Sequence, residues 1–221
     1  MAQIDTVERI LDAAEYLFAE KGFSETSLRT ITSHAKVNLA AVNYHFGSKK
    51  ILIQAVFTRF LDPFADRLGN RLDEIEDTGA QPGLEELVNM LFTEIMKVKP
   101  RGQNDLKVFM RLLALAYAQT QGHLRKHLQT VYGHVFSRYF RLLVKAAPDL
   151  PEQELYWRIN FMMGSVMFTM SDFDTLNAIS EAENGTTATV EDTLRRLLPF
   201  LVSGMRSPQS TVLRVENVDH S

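Results

Sequence analysis

The chain has 221 residues, no cysteine and a formal net charge of −3 at pH 7, from 24 Lys and Arg against 27 Asp and Glu. That length suits a small module on a larger body, and the missing cysteines exclude disulfides, thiolate metal sites and a cysteine nucleophile. The opening MAQIDTVERI lacks a basic–apolar leader pattern. The most apolar window, 159–170, is too short for the roughly 20 residues of a membrane span. The expectation is a soluble, cytoplasmic protein with no membrane partner.

Apolar residues recur at helical spacing and no strand alternation stands out, which predicts an all-α fold. The first helix is expected over 6–21, with Val7, Ile10, Leu11, Ala14, Leu17 and Phe18 on one stripe. Asp5 or Thr6 caps it and Gly22 ends it. Thr26 or Ser27 caps a short second helix through Ala35. Lys36-Val37 makes a turn, Asn38 caps a third helix over 39–46, and Gly47 closes it. Ser48 opens a long fourth helix to about Glu76, with a bend expected at Pro63.

After Pro82-Gly83 the stripe Leu84, Leu87, Val88, Leu91, Phe92, Ile95 predicts another helix, ending near Pro100-Arg101-Gly102. Residues 104–120 are apolar almost all round and predict a helix buried on several sides. Helices over 123–146, 152–172 and 189–206 follow, with Glu181–Thr189 read as a polar link. The expected division is 1–50 as a helix-turn-helix domain, 51–206 as a helical body and 207–221 as a polar tail.

Charge is unevenly placed. Residues 27–60 carry Arg29, Lys36, Lys49, Lys50 and Arg59 and no acid, whereas residues 1–26 carry six acids against two bases. A basic helix-turn-helix in an acidic chain points to DNA. A two-turn helix in a major groove presents its N-terminal residues and one face. Leu39, Ala40 and Ala41 are small or apolar enough to approach thymine methyls. Asn43 suits a base edge or a phosphate, and Tyr44 and His45 carry donors for either. Val42 and Phe46 should face inward. Lys49 stands as a phosphate clamp at the start of the fourth helix, and helix N-termini add backbone donors.

Thr26, Ile31, Ala35-Lys36-Val37-Asn38, Asn43-Tyr44-His45-Phe46-Gly47-Ser48-Lys49-Lys50 and Leu52 resemble the signature of TetR-family transcriptional regulators. The likeness extends upstream through Ile10-Leu11-Asp12-Ala13-Ala14 and Leu17-Phe18-Ala19-Glu20-Lys21-Gly22-Phe23. Lys36 departs from the glycine usual in that turn, and Asn43-Tyr44-His45 departs from the aromatic triplet of many members. The resemblance implies a dimer of all-helical subunits, a pseudo-palindromic double-stranded operator, and a body that binds a small molecule. It places DNA contacts on Ser27, Arg29, Leu39, Ala40, Ala41, Asn43, His45 and Lys49; Asn38 and Tyr44 complete the candidate set.

In the body, 161–170 packs four Met and two Phe into ten residues. Methionine adapts to irregular, flexible guests. Phe109, Met110, Leu113, Phe136, Phe140, Met162 and Val166 are the candidate lining of an apolar pocket, although stripes of this kind more often form core. Arg111 and Arg158 interrupt apolar runs and fit either an anionic ligand or an ion pair. Val37–Lys50, Val98-Lys99-Pro100-Arg101, Phe109-Met110-Arg111-Leu112-Leu113 and Gln121-Gly122-His123-Leu124-Arg125-Lys126 are similar to the fatty-acid-responsive PsrA-type branch of the family. That likeness implies a long-chain fatty acid or its acyl-CoA as inducer and β-oxidation genes as targets; a drug or steroid suits an apolar pocket equally.

Leu194, Leu197, Leu198 and Leu201 on the last helix, with Trp157 and Phe161, are the candidate dimer interface, forming a four-helix bundle across a two-fold axis. His123, His127 and His134 share a helix face, but no acid at the metalloprotease position and no Cys complete a metal set. Ser33-His34-Ala35-Lys36 matches SxxK by chance without its companion motifs, and GxGxxG, Walker A and GxSxG are absent. Neither a catalytic residue, a resident metal nor a cofactor is expected. The competing class is a helical lipid carrier whose basic segment is mere surface.

Overall fold

The computed structural model describes residues 2–97, 105–119 and 121–208. The expected stretch Val98–Arg101 and most of the polar tail lie outside the described residues. Among these, the secondary structure is entirely helical: α1 (Ala2–Glu25), α2 (Leu28–Ala35), α3 (Leu39–Phe46), α4 (Lys49–Thr78), α5 (Leu84–Lys97), α6 (Asp105–Ala118), α7 (Gly122–Ala146), α8 (Glu152–Ser171), α9 (Phe173–Asn184) and α10 (Val190–Arg206). The all-α expectation holds.

Helix ends follow local chemistry. Ser27 Oγ accepts from Thr30 N, Asn38 Oδ1 from Ala41 N, and Ser48 Oγ from Ile51 N, so each of α2, α3 and α4 starts on a side-chain cap. Thr26 is no cap. It is fully buried, and its Oγ1 donates to Leu17 O at 3.0 Å and Gly22 O at 2.8 Å. Gly22 bends α1 rather than ending it, with φ 80° and ψ 168°, and the helix resumes to Glu25. A Cβ at Gly22 would stand 2.8 Å from Gln119 Nε2, the movable end of a flexible side chain, so it is the positive φ that calls for glycine here. α4 runs through Pro63 as one helix.

α9 is a correction to the expected layout. Residues 173–184 form a helix, and the connection to α10 shrinks to Gly185–Thr189. Phe173 is the one residue of α9 that is fully covered, and Ile179 is half exposed. So polar a helix leaves little apolar period to read. Gly185, left-handed at φ 65°, closes it.

The core is arranged in two parts. One joins α1–α4 to the body: Ile10, Phe18, Phe23, Ile31, Val42, Leu52 and Phe57 belong to the same cluster as Leu68, Leu112, Leu124 and Leu143. The other lies within the body: Val88, Phe92, Met110, Met162, Val166, Met170, Leu194, Leu201 and Val202. Phe109 touches both, packing on Phe57 and Phe60 at 6.1 and 5.0 Å between ring centres. α6 lies against α1 and α8, but among its described residues only Met110 and Leu112 are buried and Tyr117 is 55% exposed, less cover than its apolar circumference predicts. α4 crosses residues 50 and 51 as continuous helix and carries the first three helices on the body.

Candidate nucleic-acid interface

The face of α3 is set by one buried anchor. Val42 is fully covered, and Phe46, one turn on, is half-buried against the core. That places Leu39, Ala40, Asn43 and Tyr44 on the exposed side, with Ala41 and His45 at its margin. Tyr44 is 77% exposed, so its ring and hydroxyl are both accessible on this face. His45 meets the edge of Tyr44 at 5.0 Å and lies 6.3 Å from Phe46. Asn38 Oδ1 is committed to the cap at 2.8 Å.

Around α3, Ser27 and Arg29 are exposed at the start of α2. Lys49 Nζ donates to Ser24 O at 3.4 Å and so stands beside the α1–α2 corner. All ten expected residues are at least partly accessible around the α2–α4 segment. One basic residue of the segment has a different role. Arg59 is largely covered and bonded to Glu8, Asp12 and Glu15 of α1 at 3.2, 2.6 and 3.4 Å. Its charge is spent inside the protein, so the positive field comes from the remaining four bases.

Sequence reasoning missed Arg9. Its Nη2 donates to Ala35 O at 2.5 Å and Lys36 O at 2.9 Å, gripping the turn between α2 and α3. The helical pattern of α1 marked Arg9 only as a residue off the apolar stripe, and no local signal announces a bond across 26 residues.

In the body, Met110, Met162 and Val166 meet in the second core part, with Phe109 and Leu113 packed against it. Phe140 packs on the first part, and Phe136, on α7, is 6.2 Å from Phe64 and partly exposed. The seven candidate lining residues are therefore divided between two places. An open groove of about 450 Å³ lies elsewhere, between α1, α4 and α7, lined by Leu11, Ile51, Gln54, Ala55, Thr58, Arg59 and His127.

Both interrupting arginines have protein partners. Arg111 pairs with Glu20 of α1 at 3.5 Å. Arg158, only 5% exposed, bonds Glu154 at 2.9 Å and donates to the carbonyls of Met205 and Ser207, closing the end of α10. Among the histidines, His127 Nε2 is 3.4 Å from Thr58 Oγ1, and the His123 carbonyl accepts from Gln54 at 3.3 Å. Burial and the nearby Lys50 hold the His123 imidazole below its ordinary range.

The candidate dimer residues also divide. Leu194 and Leu201 are 5% and 4% exposed within one chain and turn into its own core, so they have almost no surface left for a partner. Leu197 and Leu198 are half-covered. Trp157 and Phe161 face out and stack at 6.2 Å. Phe168 and Phe200, absent from the expected set, are 68% and 67% exposed. Trp157, Phe161 and Phe168 recur at intervals of four and seven, which is one face of α8.

A capped two-turn helix held by a tight turn in an otherwise helical chain defines a helix-turn-helix protein with an all-α body. Residues 10–56 match the family described as bacterial regulatory proteins, tetR family, and residues 89–204 match the tetracyclin repressor-like C-terminal domain. The chain belongs to the TetR family. It is 33% identical to the probable HTH-type transcriptional regulator YttP of Bacillus subtilis over 86 residues, 39% of this chain and 42% of that one. It is 26% identical to the nicotine-responsive transcriptional repressor HdnoR of Paenarthrobacter nicotinovorans over 147 residues, 66% and 72% of the two chains. The alignment thus spans less than half of YttP. The fold is shared with the fatty acid degradation regulator FadR of Bacillus halodurans, at a TM-score of 0.60 and 16% identity over 92% of this chain and 97% of that one. No described helix is long and apolar enough to cross a membrane.

Proposed function

We propose that the chain is a ligand-responsive repressor that binds a pseudo-palindromic operator as a dimer and is released by a long-chain fatty acid or its acyl-CoA, controlling genes of fatty-acid β-oxidation. The observation that carries the DNA part is the exposed side of α3. Leu39, Ala40, Asn43 and Tyr44 stand out from a helix anchored by Val42, in a segment whose accessible charges are all basic. Two such helices across a two-fold axis meet successive major grooves when they lie about 34–36 Å apart. The exposed aromatic face of α8 supports the dimer, since rings this large are costly to leave in water.

The ligand part rests on the methionine-rich cluster of Met110, Met162 and Met170 beside Phe92 and Phe173. Flexible thioethers repack around a guest, and an acyl chain supplies the apolar area such a site needs. Because α6 touches both this cluster and α1, a guest there shifts the three-helix head relative to the body. Different affinity for the two arrangements is the switch.

The deciding experiment is release of the protein from duplex taken from its own upstream region, titrated with oleate, oleoyl-CoA and a short-chain control. Release by long-chain species alone is expected. Tight binding that no acyl species disturbs removes the fatty-acid reading and leaves a repressor of another apolar ligand. Acyl binding without any salt-sensitive duplex binding replaces the repressor with a lipid carrier.

A further inference from the structure

Among the described residues, Lys36 is alone in having positive φ without being glycine, at φ 54° and ψ 46°. It closes α2 with paired bonds, Val37 N to Thr32 O at 3.0 Å and Lys36 N to Ser33 O at 3.3 Å. That motif favours glycine, because a Cβ crowds the backbone in the left-handed region. The carbonyls of Ala35 and Lys36 lie past the last helical donor and need partners of their own.

Arg9 supplies them. One guanidinium nitrogen reaches both carbonyls, at 2.5 and 2.9 Å, and places positive charge at the C-terminal end of α2, where the helix dipole favours it. Two turns along α1, Tyr16 stacks on His34, with ring centres 5.3 Å apart and planes 20° from parallel. Helix α1 therefore holds the end of α2 by a charged clamp and a ring contact. Asn38, two residues beyond the clamped turn, starts α3.

We infer that Arg9 is a positioning residue for DNA recognition, pinning the left-handed Lys36 turn and so setting the angle at which α3 meets a duplex. This rests on the operator-binding reading. Arg9 acts through the turn and not on phosphate. A lysine there keeps the charge but loses the planar fork. A glycine at position 36 holds the left-handed turn without assistance.

The test compares wild type with Arg9→Ala, Arg9→Lys, Lys36→Gly and the Arg9→Ala/Lys36→Gly double variant. The probes are a duplex enriched by the wild-type protein from a random-sequence pool and a scrambled duplex of equal length. Binding is measured well below each thermal midpoint, with circular dichroism confirming the fold. Arg9→Ala is expected to weaken the enriched duplex by about tenfold or more, the scale of a lost charge-assisted hydrogen bond. The scrambled duplex changes little, and the slope of affinity against salt stays at its wild-type value, because no phosphate contact is lost. Arg9→Lys falls between, and the loss caused by Arg9→Ala is smaller when the double variant is measured against Lys36→Gly, which itself removes one of the four accessible bases.

Unchanged affinity, equal losses on both duplexes with a shallower salt slope, or an Arg9→Ala loss as large in the Lys36→Gly background as in wild type overturns the inference. If wild type enriches no duplex, the operator reading fails, and thermal midpoints decide the clamp. A loss on Arg9→Ala that shrinks in the Lys36→Gly background upholds the contact, and equal losses in both backgrounds reject it.

Discussion

The three-helix head and the helical body are built from the same kind of segment but are specified differently. In the head, α2, α3 and α4 each start on their own chemistry: Ser27, Asn38 and Ser48 cap them in turn, and Gly47 ends α3. In the body, α7 and α8 start without a side-chain cap, and their positions depend on which faces they bury. Short helices are marginal alone and need terminal satisfaction, whereas long amphipathic helices are held by area. Head positions can therefore be assigned from a few residues, and most body positions only from packing, the exceptions being the start of α10 at the Thr189–Asp192 capping box and the end of α9 at Gly185.

The largest expected effect tests whether these regions are separate at all. Phe57 is fully buried and lies 6.3 Å from Phe23 of the head and 6.1 Å from Phe109 of the body. Phe57→Ala should cost about 3–5 kcal/mol, and calorimetry should show one transition that moves as a whole. Two transitions, with only the first displaced, would break the picture of a shared core.

The proposed dimer face sharpens the contrast inside the body. Leu194→Ala should destabilise the folded chain by about 2–5 kcal/mol. Phe161→Asp should leave monomer stability nearly intact and shift sedimentation from dimer to monomer. A dimer that survives Phe161→Asp would move the interface off this face of α8. In the head, Asn38→Ala should cost about 1 kcal/mol through the lost cap and weaken duplex binding, read by denaturant melts and titration; an unchanged midpoint would mean that packing of Val42 alone holds α3.

The smallest effect concerns pH. Burial and Lys50 hold His123 below its ordinary value of 6.5, so the unfolded chain takes up this proton first as pH falls. The group carries no penalty at neutral pH. It costs stability as pH drops below about 6.5, down to its own lower folded value. His123→Gln should flatten the stability profile between about pH 7 and 5, and identical profiles would show that the imidazole is as free folded as unfolded.

Legibility followed the range of the interactions. Helices α2, α3 and α4 stand within a residue or two of where caps and glycines placed them, whereas α1 starts at Ala2, with Asp5 and Thr6 inside the helix instead of capping it, and bends at Gly22 before continuing to Glu25. Helix α9 was missed because its sequence is polar and only Phe173 is fully covered. Leu194 and Leu201 belonged to a true amphipathic stripe, but the stripe faces its own subunit, and the exposed side is carried by Trp157, Phe161, Phe168 and Phe200. Arg59 counted as a base for DNA until three carboxylates of α1 were found around it.

The amino-acid sequence by itself determined that the protein is helical, where α3 begins and ends, and which end carries the basic charge, because periodicity, capping and charge act over a few residues. Only the tertiary structure decided which apolar stripe is core and which is surface, that Arg158 closes α10 instead of waiting for a ligand, and that Arg9 grips the Lys36 turn. Those outcomes depend on partners dozens of residues away, and burial is a property of the assembled neighbours, not of any one segment.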